Sequence, residues 1–180
     1  MQAGQSKRKY LVLLALSGFS LLASIAVFAA VGLRINLTES LPLGIYRISA
    51  APGTPYVAFC LTGELGQQAL QRAYRPHGSC PDGGAPLLKS IVAAPGDQVT
   101  FTPAGIAVNN HLLSNTAPLY RDGAGRSLQP WMFGSTTVQA NTFWVASTYN
   151  RYSYDSRYYG PIQNNQVLFA LKPVFTLREN

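Results

Sequence analysis

The chain has 180 residues, of which 47% are hydrophobic and 12% charged, and 14 basic against 7 acidic side chains give it a formal net charge of +7. Lys7, Arg8 and Lys9 supply three of those charges, and the +4 that remains is scattered singly over positions such as Arg47, Arg72, Arg75, Arg121, Arg126 and Arg151. Without a basic stripe interleaved with aromatics, nucleic acid is excluded as a partner, and proximity to anionic lipid headgroups is the simpler reading of the charge.

Residues 10–33 form an uncharged apolar run of 24 residues, longer than the ~7 to 15 of a signal-peptide apolar region and enough for the ~20 that span a bilayer. It reads as a transmembrane helix or signal-anchor, and Val27-Phe28-Ala29-Ala30 leaves cleavage open as the alternative. Three basic residues precede the run and only Arg34 follows closely, which predicts a cytoplasmic N-terminus with the rest of the chain across the membrane. Gly18, Ser17, Ser20 and Ser24 read as small packing residues of a membrane helix. About 147 residues then remain, enough for one domain with its own core and too few for two.

Ser40-Leu41-Pro42-Leu43-Gly44 follows almost at once, and Ser40 is a candidate nucleophile within about 25 Å of the membrane surface even if the connection is fully extended. Pro42 fixes φ and Gly44 permits unusual dihedrals, so a plain turn is the competing reading. Beyond it, short runs rich in β-branched and aromatic residues alternate with Gly, Pro and Asn, which predicts a mainly β domain. Strands are expected over 44–49, 56–61, 87–93, 98–102, 106–108, 142–148 and 166–171, with Asn109-Asn110 as a hairpin turn because Asn tolerates positive φ. Residues 64–74 are the one helical candidate after the anchor, with Leu65, Ala69, Leu70 and Ala73 at helical spacing.

Cys60 and Cys80 are the only cysteines, and the expected topology puts them in an oxidising compartment, where a pair tends to close. A disulfide is expected, closing residues 60–84 into a stapled insertion, with two buried thiols as the alternative. His77 and His111 are the only histidines and offer no metal-ligand spacing, so neither a metal nor another cofactor is expected. No internal repeat is visible.

Lys89 lies in Leu87-Leu88-Lys89-Ser90-Ile91-Val92, a strand apolar on both faces. Burial disfavours the ammonium and would lower its pKa toward what a general base needs at neutral pH, whereas a lysine at a strand edge would snorkel to water. Ala93-Ala94-Pro95-Gly96-Asp97 follows directly. Near the C-terminus, Ser153-Tyr154-Asp155-Ser156-Arg157 places Asp155 and Arg157 two apart, on one face if extended, as an expected ion pair. Tyr149, Tyr152, Tyr154, Tyr158 and Tyr159 read as packing residues rather than substrate contacts.

The order and content of these three segments resemble the signal peptidase clan, and within it the conjugative-transfer peptidases of the TraF type. The likeness rests on Ser-x-Pro-x-Gly-x-Tyr ending at Tyr46, a lysine followed by Pro-Gly-Asp, the Ser153–Arg157 segment, a single anchor and an insertion ending Cys80-Pro81-x-Gly-Gly. It implies the β-rich signal peptidase sheet and a membrane-anchored serine endopeptidase with Ser40 as nucleophile and Lys89 as base. By the same resemblance Ser153 orients the lysine, Asp155 and Arg157 support the site, Asp155 is itself needed for activity, and Thr38 with the Ser40 N–H supplies the oxyanion hole, Thr standing where Ser is common. Residues 1–9 would be a cytoplasmic tail and 34–180 a periplasmic peptidase domain on the bacterial inner membrane. The expected substrate is an exported precursor, foremost a conjugative propilin processed beside type IV secretion components, with head-to-tail cyclisation or hydrolysis both open. A general type I signal peptidase and a non-catalytic membrane-anchored scaffold of a secretion complex are the competing readings.

Overall fold

The computed structural model describes residues 2–51 and 53–177. Of the expected basic tail, Met1 lies outside the described residues, as do the side chains of residues 2–7, Lys7 among them.

Helix α1 (Gln2–Ala30) begins earlier and ends sooner than the apolar run. Its Arg8–Ala30 stretch, mean hydropathy 2.4, is long and apolar enough to cross a membrane, and it is exposed along its length. Gly32, at φ +75°, turns the chain out of the helix, so Leu33 belongs to a strand rather than to the anchor.

That strand, β1 (Leu33–Asn36), pairs with β2 (Gly44–Ile48), and the turn between them carries Ser40. β3 (Tyr56–Phe59), helix α2 (Gly63–Gln71), β4 (Leu87–Ala93), β5 (Gln98–Thr102), β6 (Gly105–Val108), β7 (His111–Leu112), β8 (Gly134–Thr137) and β9 (Thr142–Ala146) follow. The short helix α3 (Ser156–Tyr159), β10 (Ile162–Gln163), a 3-10 turn (Asn164–Gln166) and β11 (Val167–Thr176) complete the described chain. Seven strands form one sheet in the order β1-β2-β11-β3-β4-β9-β10, and β7-β6-β5-β8 form a second, with every pairing antiparallel. The expected mainly β domain is the one observed.

The period of two along β9 explains how one strand serves two cores. Phe143 and Val145 pack with Phe59, Leu87, Tyr158 and Ile162, whereas Trp144 and Ala146 pack with Val99, Phe101 and Ile106. A third cluster, Leu41, Tyr46, Ala58 and Leu171, lies beneath the Ser40 turn. Asn109 and Asn110 adopt φ of 49° and 68°, the mirror-image turn that matches hairpin twist. Pro95-Gly96-Asp97 also closes a turn: the Asp97 carboxylate accepts from the Ala94 N–H at 2.8 Å and from Asn109 Nδ2 at 2.8 Å, which fixes the corner between the sheets.

Cys60 and Cys80 are disulfide-bonded. Within the loop they close, Arg75 is buried and pairs with Asp82 while donating to the Gly66 carbonyl at 3.0 Å. Closing about 20 residues contributes ~3 kcal/mol in the chain-entropy treatment. A Cys60→Ser/Cys80→Ser variant is therefore expected to lose about that much stability, measurable as a lowered denaturation midpoint with a slope that is the same or steeper, because the unlinked denatured chain exposes more surface; an unshifted midpoint would refute it.

Candidate active site

The Ser40 turn is held from three sides. Asn36 is buried, and its side-chain amide donates to the carbonyls of Thr38, Leu41 and Pro42 at 2.9, 3.2 and 3.2 Å while its oxygen accepts from the Thr38 N–H at 3.2 Å. The buried Tyr46 hydroxyl donates to the Pro42 carbonyl at 2.7 Å, which accounts for the tyrosine of the motif. Gly44 is needed for proximity rather than for unusual dihedrals, because a Cβ there would run into the Phe175 carbonyl of β11.

Lys89 sits in the middle of β4, opposite Val57 of β3, and is 4% exposed. Alternation puts it on the face of Leu87, so its amine cannot snorkel to water. Burial pushes its pKa down to about 8; the charge of Asp155 opposes the shift and that of Arg157 adds to it. Nζ lies 2.6 Å from Ser40 Oγ and 2.8 Å from Ser153 Oγ, and the two hydroxyls are 3.4 Å apart. Residues 49 and 64 positions away in the sequence thus converge on one nitrogen.

Ser153, Asp155 and Arg157 are all buried, and the chain turns into a short helix at Ser156 instead of running on extended. Asp155 caps α3, accepting from the Arg157 N–H at 3.2 Å. The ion pair survives this change because the capped turn folds Arg157 back: Nε donates to Oδ1 at 2.7 Å and Nη2 to Oδ2 at 2.8 Å. The guanidinium also donates to the carbonyls of Asn115, Ala117, Arg151 and Ser153, and Asp155 accepts from the Ser147 N–H at 3.1 Å. One buried pair therefore pins the backbone that presents Ser153 to Lys89. Tyr154, Tyr158 and Tyr159 pack in the core, whereas Tyr149 and Tyr152 are 42% and 70% exposed beside the site.

Thr38 Oγ1 donates to Asn36 Oδ1 at 2.8 Å, so its hydroxyl serves the turn in this conformation and reaches an oxyanion only by rotating away. Asn36 was not among the residues expected from the sequence. Its one sequence signal is Asn-x-Thr at the end of a strand, where a side-chain amide can substitute for backbone pairing.

Two cavities meet at Ser40 and Lys89. The smaller, about 230 Å3, is bounded by Leu119, Leu128, Tyr154 and Tyr158. The larger, about 650 Å3, runs as a mostly apolar groove between β1 and β4 with Leu168 and Phe169 along it. A third, about 730 Å3, opens on the other side of the turn against Glu39, Leu43 and Tyr149.

A sequence model described as signal peptidase, peptidase S26, matches residues 8–175. The plasmid transfer protein TraF of Escherichia coli is 35% identical over 163 residues, covering 88% of this chain and 91% of its own length. The conjugal transfer protein TraF of Agrobacterium fabrum is 32% identical over 176 residues, 95% of this chain and 98% of its own. The probable conjugal transfer protein TraF of Sinorhizobium fredii is 37% identical over 153 residues, 81% and 78% respectively. Among solved structures, a signal peptidase I from Enterococcus faecalis aligns with a TM-score of 0.38 and 19% identity, covering 69% of this chain and 99% of that one.

Proposed function

The chain belongs to the signal peptidase family, peptidase S26, and on that footing we propose that it is a membrane-anchored serine endopeptidase in which Ser40 and Lys89 process an exported precursor of a conjugation apparatus. The observation that carries this reading is the buried amine 2.6 Å from Ser40 Oγ and 2.8 Å from Ser153 Oγ. A neutral Nζ has one lone pair to accept the Ser40 proton and N–H groups to donate to Ser153, so Ser153 fixes the lone pair on the nucleophile. Ser40 Oγ then attacks the scissile carbonyl. The developing oxyanion is met by the Ser40 N–H, with Thr38 joining once its hydroxyl turns from Asn36. Lys89 returns the proton to the leaving amine, and water or a second amine resolves the acyl-enzyme by the reverse sequence.

α1 anchors the chain in the inner membrane with residues 34–180 as the periplasmic catalytic domain, so Ser40, ten residues after the helix ends at Ala30, works at the bilayer surface. Anchoring turns the search for a membrane-borne substrate into a local encounter. The relatives are named as plasmid and conjugal transfer proteins, which fits a precursor exported for conjugation; the precursor proposed is a propilin processed beside type IV secretion components, and in that setting the acyl acceptor can be the pilin's own N-terminus. Mass spectrometry of the candidate pilin's termini in cells with and without the chain tests the reading: a processed or cyclic pilin only in its presence supports it, and identical termini sink it.

Small residues are expected at the first and third positions before the cut, because cavities walled by Leu87, Leu128 and Tyr158 admit Ala and resist bulky or charged groups. Rates on peptides varied at those positions check this; equal rates for Ala and Phe would rule it out.

A further inference from the structure

The disulfide-closed insertion does more than cover the sheet: Tyr74, Arg75, Pro76 and Ser79 line the larger groove, and of these Tyr74 alone reaches the smaller cavity as well. Tyr74, together with Leu87, Ser40 and Lys89, lines both the 230 Å3 cavity and the 650 Å3 groove, so its ring stands between them. Leu87 is a core residue of β4, whereas Tyr74 comes from a separate element and owes its position to a set of restraints.

Those restraints converge on it from two segments. Ala73 adopts φ +57°, a left-handed conformation that a residue with a Cβ enters only when its surroundings enforce it. That turn brings the Tyr74 N–H onto the Ala69 carbonyl at 2.8 Å and sends the ring inward, against Tyr154 at a centroid distance of 4.9 Å. Across the cavity, the Tyr74 hydroxyl donates to Asp122 Oδ2 at 2.6 Å. Asp122 is in turn fixed by Arg126 Nε at 2.6 Å and by the N–H groups of Ala124 and Arg126 at 2.9 and 2.8 Å. Two further bonds tie the same segments together: Arg72 to the Ser127 carbonyl at 2.7 Å and Arg126 to the Arg72 carbonyl at 3.0 Å.

We propose that Tyr74, presented by the insertion and latched by Asp122, is a specificity-determining residue: its ring partitions the acyl-side site and confines the smaller cavity, which must hold the scissile carbonyl as well as a side chain, to small residues. This rests on the peptidase reading above and names the element that sets its selectivity. Without the ring the two cavities merge and a bulky side chain beside the scissile carbonyl gains room. Without the hydroxyl, or without Asp122, the ring stays but is no longer held.

The test uses the full chain in detergent micelles and precursor peptides carrying Ala or Phe immediately before the cut, with kcat/KM measured for each. Tyr74→Ala is expected to lower the Ala-to-Phe ratio by about tenfold or more through a gain on the Phe peptide, the scale on which pocket volume discriminates. Tyr74→Phe and Asp122→Asn are each expected to lower it about threefold, and the double variant no further, since both break one latch. An unchanged ratio in folded Tyr74→Ala, or an equal fall on both peptides, would overturn the proposal. Should Tyr74→Ala fail to fold, Tyr74→Phe and Asp122→Asn decide, and unmoved ratios in both overturn it. A wild-type chain that cleaves no peptide would sink the peptidase reading itself, an outcome separate from cleavage with a selectivity that Tyr74 does not control.

Discussion

Replacing Lys89 with methionine is expected to abolish cleavage while leaving the melting temperature unchanged or higher. Removal of a base or nucleophile in a serine peptidase acts on the order of a millionfold in turnover, and Ser40→Ala should match it with little effect on stability. The stability sign follows from burial. The folded pKa of Lys89 is about 8 against 10.5 in the open chain, so between those values the unfolded state binds the extra proton. The resulting penalty is full below pH 8, shrinks as pH rises through the window and vanishes above about 10.5. The gap between the two values corresponds to ~3 kcal/mol. Methionine removes the ionisable group, so its advantage should be largest below pH 8 and absent in strong alkali. An active Lys89→Met chain would eliminate Lys89 as the base, and an inactive but badly destabilised one would assign Lys89 a structural role.

The largest stability effect is expected at Arg157. Methionine there removes the partner of a fully buried carboxylate and strands the carbonyls of Asn115, Ala117, Arg151 and Ser153. Breaking a buried pair from one side costs about 3–5 kcal/mol, a fall in melting temperature of about 10 °C or more for a domain of this size. A thermal melt within 2–3 °C of wild type (roughly 1 kcal/mol) would contradict the account. Asp155→Asn adds an electrostatic readout to the structural one. It also breaks the buried pair and should destabilise the fold, but it removes the charge that holds the Lys89 pKa up, so any remaining activity should titrate at lower pH than in the wild type, a shift that loss of stability alone would not produce.

How much of this was legible depended on which signals are local. β4 and β5 fall over the expected residues, 87–93 and 98–102, because apolar strands are bounded there by Pro, Gly and Asp. β1 escaped because Leu33 continues the apolar run and only Gly32 marks the break. β8, Gly134–Thr137, is exposed throughout and has no apolar face to show. β11 runs through Pro173 to Thr176, where a register shift between Pro173 and Phe175 accommodates a residue that would otherwise end the strand. At the site, burial in an apolar strand singled out Lys89 and position after the apolar run singled out Ser40, whereas the role of Ser153 came from resemblance, since nothing in their spacing predicts that the three meet. Asn36 acts through local side-chain bonds to Thr38, Leu41 and Pro42, and Tyr74 is held by a bond to Asp122, 48 positions away, contacts with no periodicity to betray them.

The pH dependence of kcat/KM shows most directly whether Lys89 is the base, because it reads the protonation state of the free enzyme's base. At pH 7 about a tenth of a group with pKa 8 is neutral, so activity measured from pH 5 to 10 should rise tenfold per unit and level off through an inflection at about 8. A profile already flat below pH 7, in an enzyme that needs Ser40, would mean that a group other than Lys89 takes the proton.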